Sequence, residues 1–278
     1  MTQPATTPSP SPFSSVSATL AEMGLAVMPC GPGTKFPGRY TSADGWFTAY
    51  DWQKYCERLP TSFELDVWDR WPDAGVCLAL GRSSAPGGLQ LIAVDIDSDD
   101  PVVVAAIRSA LPGSPVRKRG AKGETEFYLA PASVPNRPYN DAGKVRLLDL
   151  LGHGRQTVLP PSIHPSTNQP YVWTTLDTLE NFSTSDLPIL PADIADRLGE
   201  ALAQFGYEAP PVLANGEADP NVEASTHRQL NDAALANLAA WVPSLGSTSA
   251  GRSVAGTRLL HHGGRVRQGV RCLPAPPT

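Results

Sequence analysis

Cysteine is scarce in this chain. Its four cysteines, Cys30, Cys56, Cys77 and Cys272, are far apart and have no metal-ligand spacing. That pattern excludes a disulfide scaffold or a cysteine-rich zinc module and fits reduced thiols in a cytoplasmic protein. An excess of positive charge is also missing: 22 basic residues against 27 acidic give a net charge of −5, so no global positive field advertises nucleic acid. No run is long and apolar enough to span a membrane. The N-terminal MTQPATTPSPSPF has neither a basic start nor an apolar stretch, so it does not read as a signal peptide. No G-x-x-x-x-G-K-[ST] loop occurs, which excludes a fused P-loop motor within this chain.

Proline, by contrast, is plentiful, with 29 residues concentrated in loops and linkers. Residues 1–13 read as a disordered Pro/Thr/Ser tail. Residues 14–206 hold the periodic segments of one domain, and 207–224 form a Pro/Ala/Asn/Glu linker. Residues 225–244 contain one amphipathic helix, the start of a second, truncated domain, and 245–278 are a basic, disordered tail. Within the domain, helices are expected over 14–23, 49–70 and 191–206. A further helix opens at Pro101 with Asp100 as its cap. Strands are expected at 25–30, 75–80, 89–97, 115–119, 124–130, 144–151, 156–163 and 171–174. Several are joined by short turns rather than helices, which predicts an α+β fold with a mixed sheet flanked by helices.

The most informative stretch is LQLIAVDIDSDD, residues 89–100. Side chains alternate across a strand, so Asp95 and Asp97 share a face while Val94 and Ile96 take the other. Two carboxylates that close repel unless a cation lies between them, and Mg²⁺ or Mn²⁺ with oxygen ligands suits the arrangement. The plain alternative is a solvated acidic turn at a strand end. Asp99 and Asp100 are better explained by the following helix N-terminus. Asp149, in VRLLDLL, lies on one face with Leu147 at the end of another apolar strand and would complete a two-metal site.

Cations gather in VRKRGAKGETEFY, where Arg117, Lys118, Arg119 and Lys122 fall within six positions with no acid among them. They suit phosphates, and Gly120 and Gly123 would let backbone approach them; a solvated basic hairpin is the ordinary reading. Lys35 in the first Gly/Pro loop, and Arg155, Ser162, His164 and Tyr171 around the Pro160-Pro161 turn, are further candidates.

Taken in order, G-x-K-x-P, WPDAGVCLALG, LIAVDID, KRGAKGETEFY, LLDLLGHGRQTVLPPSIHP and Y-V-W resemble the N-terminal domain of bifunctional DNA primase/polymerases. That family is the prim-pol branch of the archaeo-eukaryotic primases found on plasmids and prophages, and the resemblance spans residues 15–205. It implies an RRM-like sheet and template-directed nucleotidyl transfer with two Mg²⁺ or Mn²⁺ ions. Asp95, Asp97 and Asp149 would be the metal-binding and catalytic carboxylates. Lys35, Arg117, Arg119, Lys122, Thr125, Arg155, Ser162 and His164 would contact nucleotide phosphates. Implied partners are a single-stranded DNA template and (d)NTPs, with a separate helicase as a candidate.

The second motif departs from the family pattern G-x-H-x-Y-F, because Thr125 stands where the histidine belongs. Thr125 can donate a hydrogen bond but brings no charge, which Arg117, Lys118, Arg119 or Lys122 would have to supply. The competing reading from another class is a truncated, inactive remnant that binds DNA or nucleotide. A phosphatase of the haloacid dehalogenase type is disfavoured, because no later acidic pair follows the D-x-D. A D-x-D glycosyltransferase lacks any accompanying sugar-nucleotide motif.

Overall fold

In this computed structural model the described residues are 10–209. The expected 225–244 helix, the 245–278 tail, most of the linker and the first nine residues lie outside them.

The first helix, α1 (Pro12–Glu22), begins two residues before the expected Ser14, because Ser11 caps it, accepting from the Ser14 N–H at 3.1 Å, and Pro12 opens it. Phe13, assigned by sequence to the tail, is fully buried and packs edge-on against Trp68. The helix expected over 49–70 divides into a 3₁₀ turn at Trp52–Cys56 and α2 (Ser62–Trp68). Pro60 lies in the break, and Thr61 and Glu64 form a reciprocal capping box that starts α2 afresh.

Strands β1 (Val27–Cys30), β4 (Gly75–Ala79) and β10 (Gln156–Leu159) make a three-stranded antiparallel sheet with β4 central. A hairpin of β2 (Gly38–Thr41) and β3 (Gly45–Thr48) interrupts what the sequence suggested was a plain Gly/Pro loop.

The larger sheet has six strands in the order β11-β6-β7-β5-β9-β8. They are β5 (Leu89–Ile96), β6 (Arg117–Arg119), β7 (Glu124–Pro131), β8 (Arg137–Asn140), β9 (Arg146–Leu151) and β11 (Val172–Trp173). Its ladders are antiparallel. The parallel pairings are isolated bridges, Val116 with Asp177 and Leu129 with Ile189. The fold is α+β, as expected.

Alternation along β5 decides the layering. Ile92, Val94 and Ile96 join Val103 and Ile107 of α3 (Pro101–Ser109) and Ile194, Leu198 and Leu202 of α4 (Ile194–Leu202) in one core. Leu91 and Ala93, with Phe127 and Leu129 of β7, face the three-stranded sheet and form the other. Asp100 caps α3 as expected, accepting from the Val102 N–H at 2.8 Å. The odd-numbered face of β5 therefore runs from a buried inter-sheet core out to Asp95 and Asp97.

Candidate active site

Strand register assembles the site. Asp149 of β9 lies opposite Asp95 on one side, and Thr125 of β7 lies opposite it on the other. Lys118 of β6 is opposite Thr125. Residues facing each other across neighbouring strands share a face. The result is a row across four strands, Asp149–Asp95–Thr125–Lys118, acidic at one end and cationic at the other. The Lys118 ammonium donates to Thr125 Oγ1 at 2.8 Å, and Thr125 donates to Asp95 Oδ1 at 2.6 Å.

Asp95, Thr125 and Lys118 of this row line a cleft of about 370 Å³ together with Lys35, Asp97, Lys122, His164 and Tyr171, and Asp149 sits beside Asp95 just outside that lining. Lys122 Nζ stands 3.2 Å from Asp97 Oδ1. Asp149 is paired to Arg146. Burial pushes the Asp149 carboxyl up, Arg146 opposes this, and the Asp95 and Asp97 charges push it up further. Burial, with Lys35 and Lys118 nearby, pulls the His164 imidazole below its ordinary value. Its Nδ1 accepts from the Ser166 N–H at 3.3 Å, which leaves the proton of the neutral ring on Nε2. His164, a phosphate contact in the sequence reading, therefore has a hydrogen bond to offer a ligand rather than a positive charge.

The family model for the bifunctional DNA primase/polymerase N-terminal domain, Prim-Pol, matches residues 17–192. The chain belongs to the Prim-Pol family. No curated protein matches it. Membership implies nucleotidyltransferase-type chemistry on DNA and nucleotide substrates, and the family generally uses divalent metals. Among the described residues no helix is long and apolar enough to cross a membrane.

Within this Prim-Pol domain the cleft gathers Asp95, Asp97, Lys35, Lys122, Thr125 and His164 of the sequence candidates, with Asp149 beside Asp95. Four candidates lie elsewhere. Arg117 sits opposite Glu126 and ion-pairs with it at 3.6 Å, on the helix-covered face, because it is out of phase with Lys118. Arg119, equally out of phase, pairs with Asp99 at 2.9 Å. Arg155 is exposed in the turn before β10. Ser162 is buried, and its hydroxyl accepts from the Val76 N–H at 2.6 Å, bracing β4.

The glycines of the basic turn serve the protein's own packing. A Cβ on Gly123, whose φ is +57°, would fall 1.7 Å from the Ile96 carbonyl oxygen, and one on Gly120 would fall 2.6 Å from the Tyr171 ring. Leu147 does not share a face with Asp149: the β8–β9 register slips beyond Tyr139, and Leu147 packs into the helix-side core.

The donor set suits a hard divalent ion, with Asp95 and Asp149 opposite each other on β5 and β9 and Asp97 just past the end of β5. Among the described residues, however, no three His, Cys, Asp or Glu groups converge closely enough to hold one. Arg146 and Lys122 draw Asp149 and Asp97 aside. The Lys122–Asp97 pair is half-exposed, and such a pair holds its side chains by about 0–1 kcal/mol, so re-aiming Asp97 costs little; the Arg146–Asp149 pair is more buried and is held more firmly. Sequence reasoning offered Lys118 as one of four possible sources of charge but did not place it among the phosphate contacts. The lysine was visible in the basic cluster, but which member faced the cleft depended on strand phase.

Proposed function

We propose that the cleft catalyses template-directed nucleotidyl transfer: a primer or initiating nucleotide 3′-OH attacks the α-phosphorus of a (d)NTP, the new O–P bond forms, and pyrophosphate leaves. The row Asp149–Asp95–Thr125–Lys118 supports this best, because it brings carboxylates and a cation onto one face of the sheet at the edge of the cleft. Asp95, Asp97 and Asp149 would hold two divalent ions, Mg²⁺ or Mn²⁺. When bound, such ions lower the pKa of the attacking hydroxyl and offset charge on the departing phosphates. Lys35 and Lys122 would neutralise phosphate oxygens, and His164 would donate a hydrogen bond from Nε2. Base identity would be read by pairing with a single-stranded template, so the cleft needs no base-specific contacts.

A second reading, a domain that binds nucleotide without turnover, draws on one observation: Asp149, Asp97 and Asp95 each already engage a donor of the chain itself. Nucleotide incorporation on single-stranded and primed DNA, with Mg²⁺ and Mn²⁺ in separate reactions, decides between them. We expect template-dependent products that disappear in the Asp95→Ala/Asp97→Ala double variant. Folded wild-type protein that binds dATP yet yields no product with either ion would leave the binding reading in place.

A further inference from the structure

Lys118 is only 3% exposed. Lysine is almost never buried to that degree without a carboxylate partner. The other cations of its cluster have partners: Arg117 has Glu126, Arg119 has Asp99 and Lys122 has Asp97. Among the described residues Lys118 forms no ion pair, and its side chain makes one hydrogen bond, to Thr125 Oγ1 at 2.8 Å. An ammonium carries three protons and accepts none, so two donors are left over. The face of Tyr171 also borders it, with the ring centroid 5.2 Å from Nζ, and the charges of Asp95, Lys35 and Cys77 act on it from further off. Burial is the main influence on this ammonium and pulls it down to about 8. A desolvated cation with spare donors, bordering an open cleft, has the chemistry to hold an anion.

The hydrogen-bond direction links this site to the carboxylates. Because Lys118 can only donate, the Thr125 hydroxyl accepts from it and must send its own proton onward, to Asp95 Oδ1 at 2.6 Å. Asp95 is thus oriented by a chain of two bonds that begins at the ammonium.

We propose that Lys118 is the principal anchor for the nucleotide's polyphosphate and that Thr125 is a positioning residue that couples this anchor to Asp95. The inference rests on the nucleotidyl-transfer reading and adds to it a residue and a coupling. Lys118 binds; Thr125 acts through Asp95. Removing the first therefore weakens nucleotide binding, whereas removing the second slows turnover.

The test uses the full chain and measures binding of dATP, and of inorganic tripolyphosphate alone, by calorimetry in Mg²⁺, beside incorporation kinetics and melting temperature. Lys118→Met fills the same volume without charge, and Lys118→Gln retains a hydrogen bond to Thr125 without charge. We expect both to weaken dATP and tripolyphosphate by about tenfold or more, with Lys118→Met melting no lower than wild type. Thr125→Val should hold dATP affinity within about threefold, lower kcat by about tenfold or more with KM little changed, and be largely rescued by Thr125→Ser. Wild-type affinity for dATP in Lys118→Gln would overturn the anchor, and unchanged kcat in Thr125→Val would overturn the coupling. If wild-type protein bound neither dATP nor tripolyphosphate, the nucleotidyl-transfer reading itself would fall.

Discussion

At the scale of single residues, the buried ammonium of Lys118 has a thermodynamic consequence that does not depend on any ligand. Below about pH 8 it is charged in the folded and unfolded chain alike, and the native state bears the full cost of burying it. Between about 8 and lysine's ordinary value of 10.5 the folded chain releases the proton while the unfolded chain keeps it. The unfolded state then binds more protons, so this group's contribution to stability rises with pH. Lys118→Met removes the cost at every pH. Its advantage in melting temperature over wild type should therefore be largest near neutrality and shrink as pH climbs from about 8 to 10.5. A constant gap across that range, read by calorimetric scans, would show that burial does not depress the titration of this lysine. This residue was only half legible: VRKRGAK announces cations, but nothing in the string says that Lys118 alone turns toward Thr125.

At the scale of elements, the turn between β6 and β7 is held against the end of β5 by contact with backbone. Gly123 donates its N–H to Asp99 Oδ1 at 2.9 Å, and its missing Cβ leaves room for the Ile96 carbonyl. Ile96 lies between Asp95 and Asp97, so any displacement there moves both carboxylates. Gly123→Ala combines a left-handed φ with a backbone overlap and should cost about 2 kcal/mol or more. Urea unfolding would measure that loss, and incorporation should fall with it; wild-type stability in this variant would mean that the turn is not pinned as described. Sequence reading foresaw both strands and the glycine's presence. It assigned the glycine to phosphates because the approach of Ile96 is a contact across 27 residues.

At the scale of the whole molecule, the site is an edge effect of two packed sheets. The inter-sheet core ends where Ala93 gives way to Asp95 on β5 and Phe127 gives way to Thr125 on β7. Phe127 is fully buried, packs tilted against the Trp173 ring of the edge strand β11 and occupies the position beside that transition. Phe127→Ala should cost about 3–5 kcal/mol, the range for truncating a buried aromatic. It should also weaken dATP binding, because the cavity opens beneath the Thr125–Lys118 pair; a calorimetric melt and a dATP titration on one preparation check both. Wild-type melting would show that this core does not support the site.

The sequence by itself determined the class of fold, the central acidic strand, the Asp100-Pro101 helix start and the family resemblance that the family model matches over residues 17–192. These are local signals: alternation, capping residues and motifs in order along the chain. Tertiary structure decided which cation faces the cleft, because parity along a three-residue strand is set by its neighbour's register and not by its own composition. It also decided that Ser162 and Gly123 brace the fold, since their partners Val76 and Ile96 are distant in sequence. Pairing between strands, which a single string does not encode locally, set Asp149 beside Asp95 and Thr125 between Asp95 and Lys118.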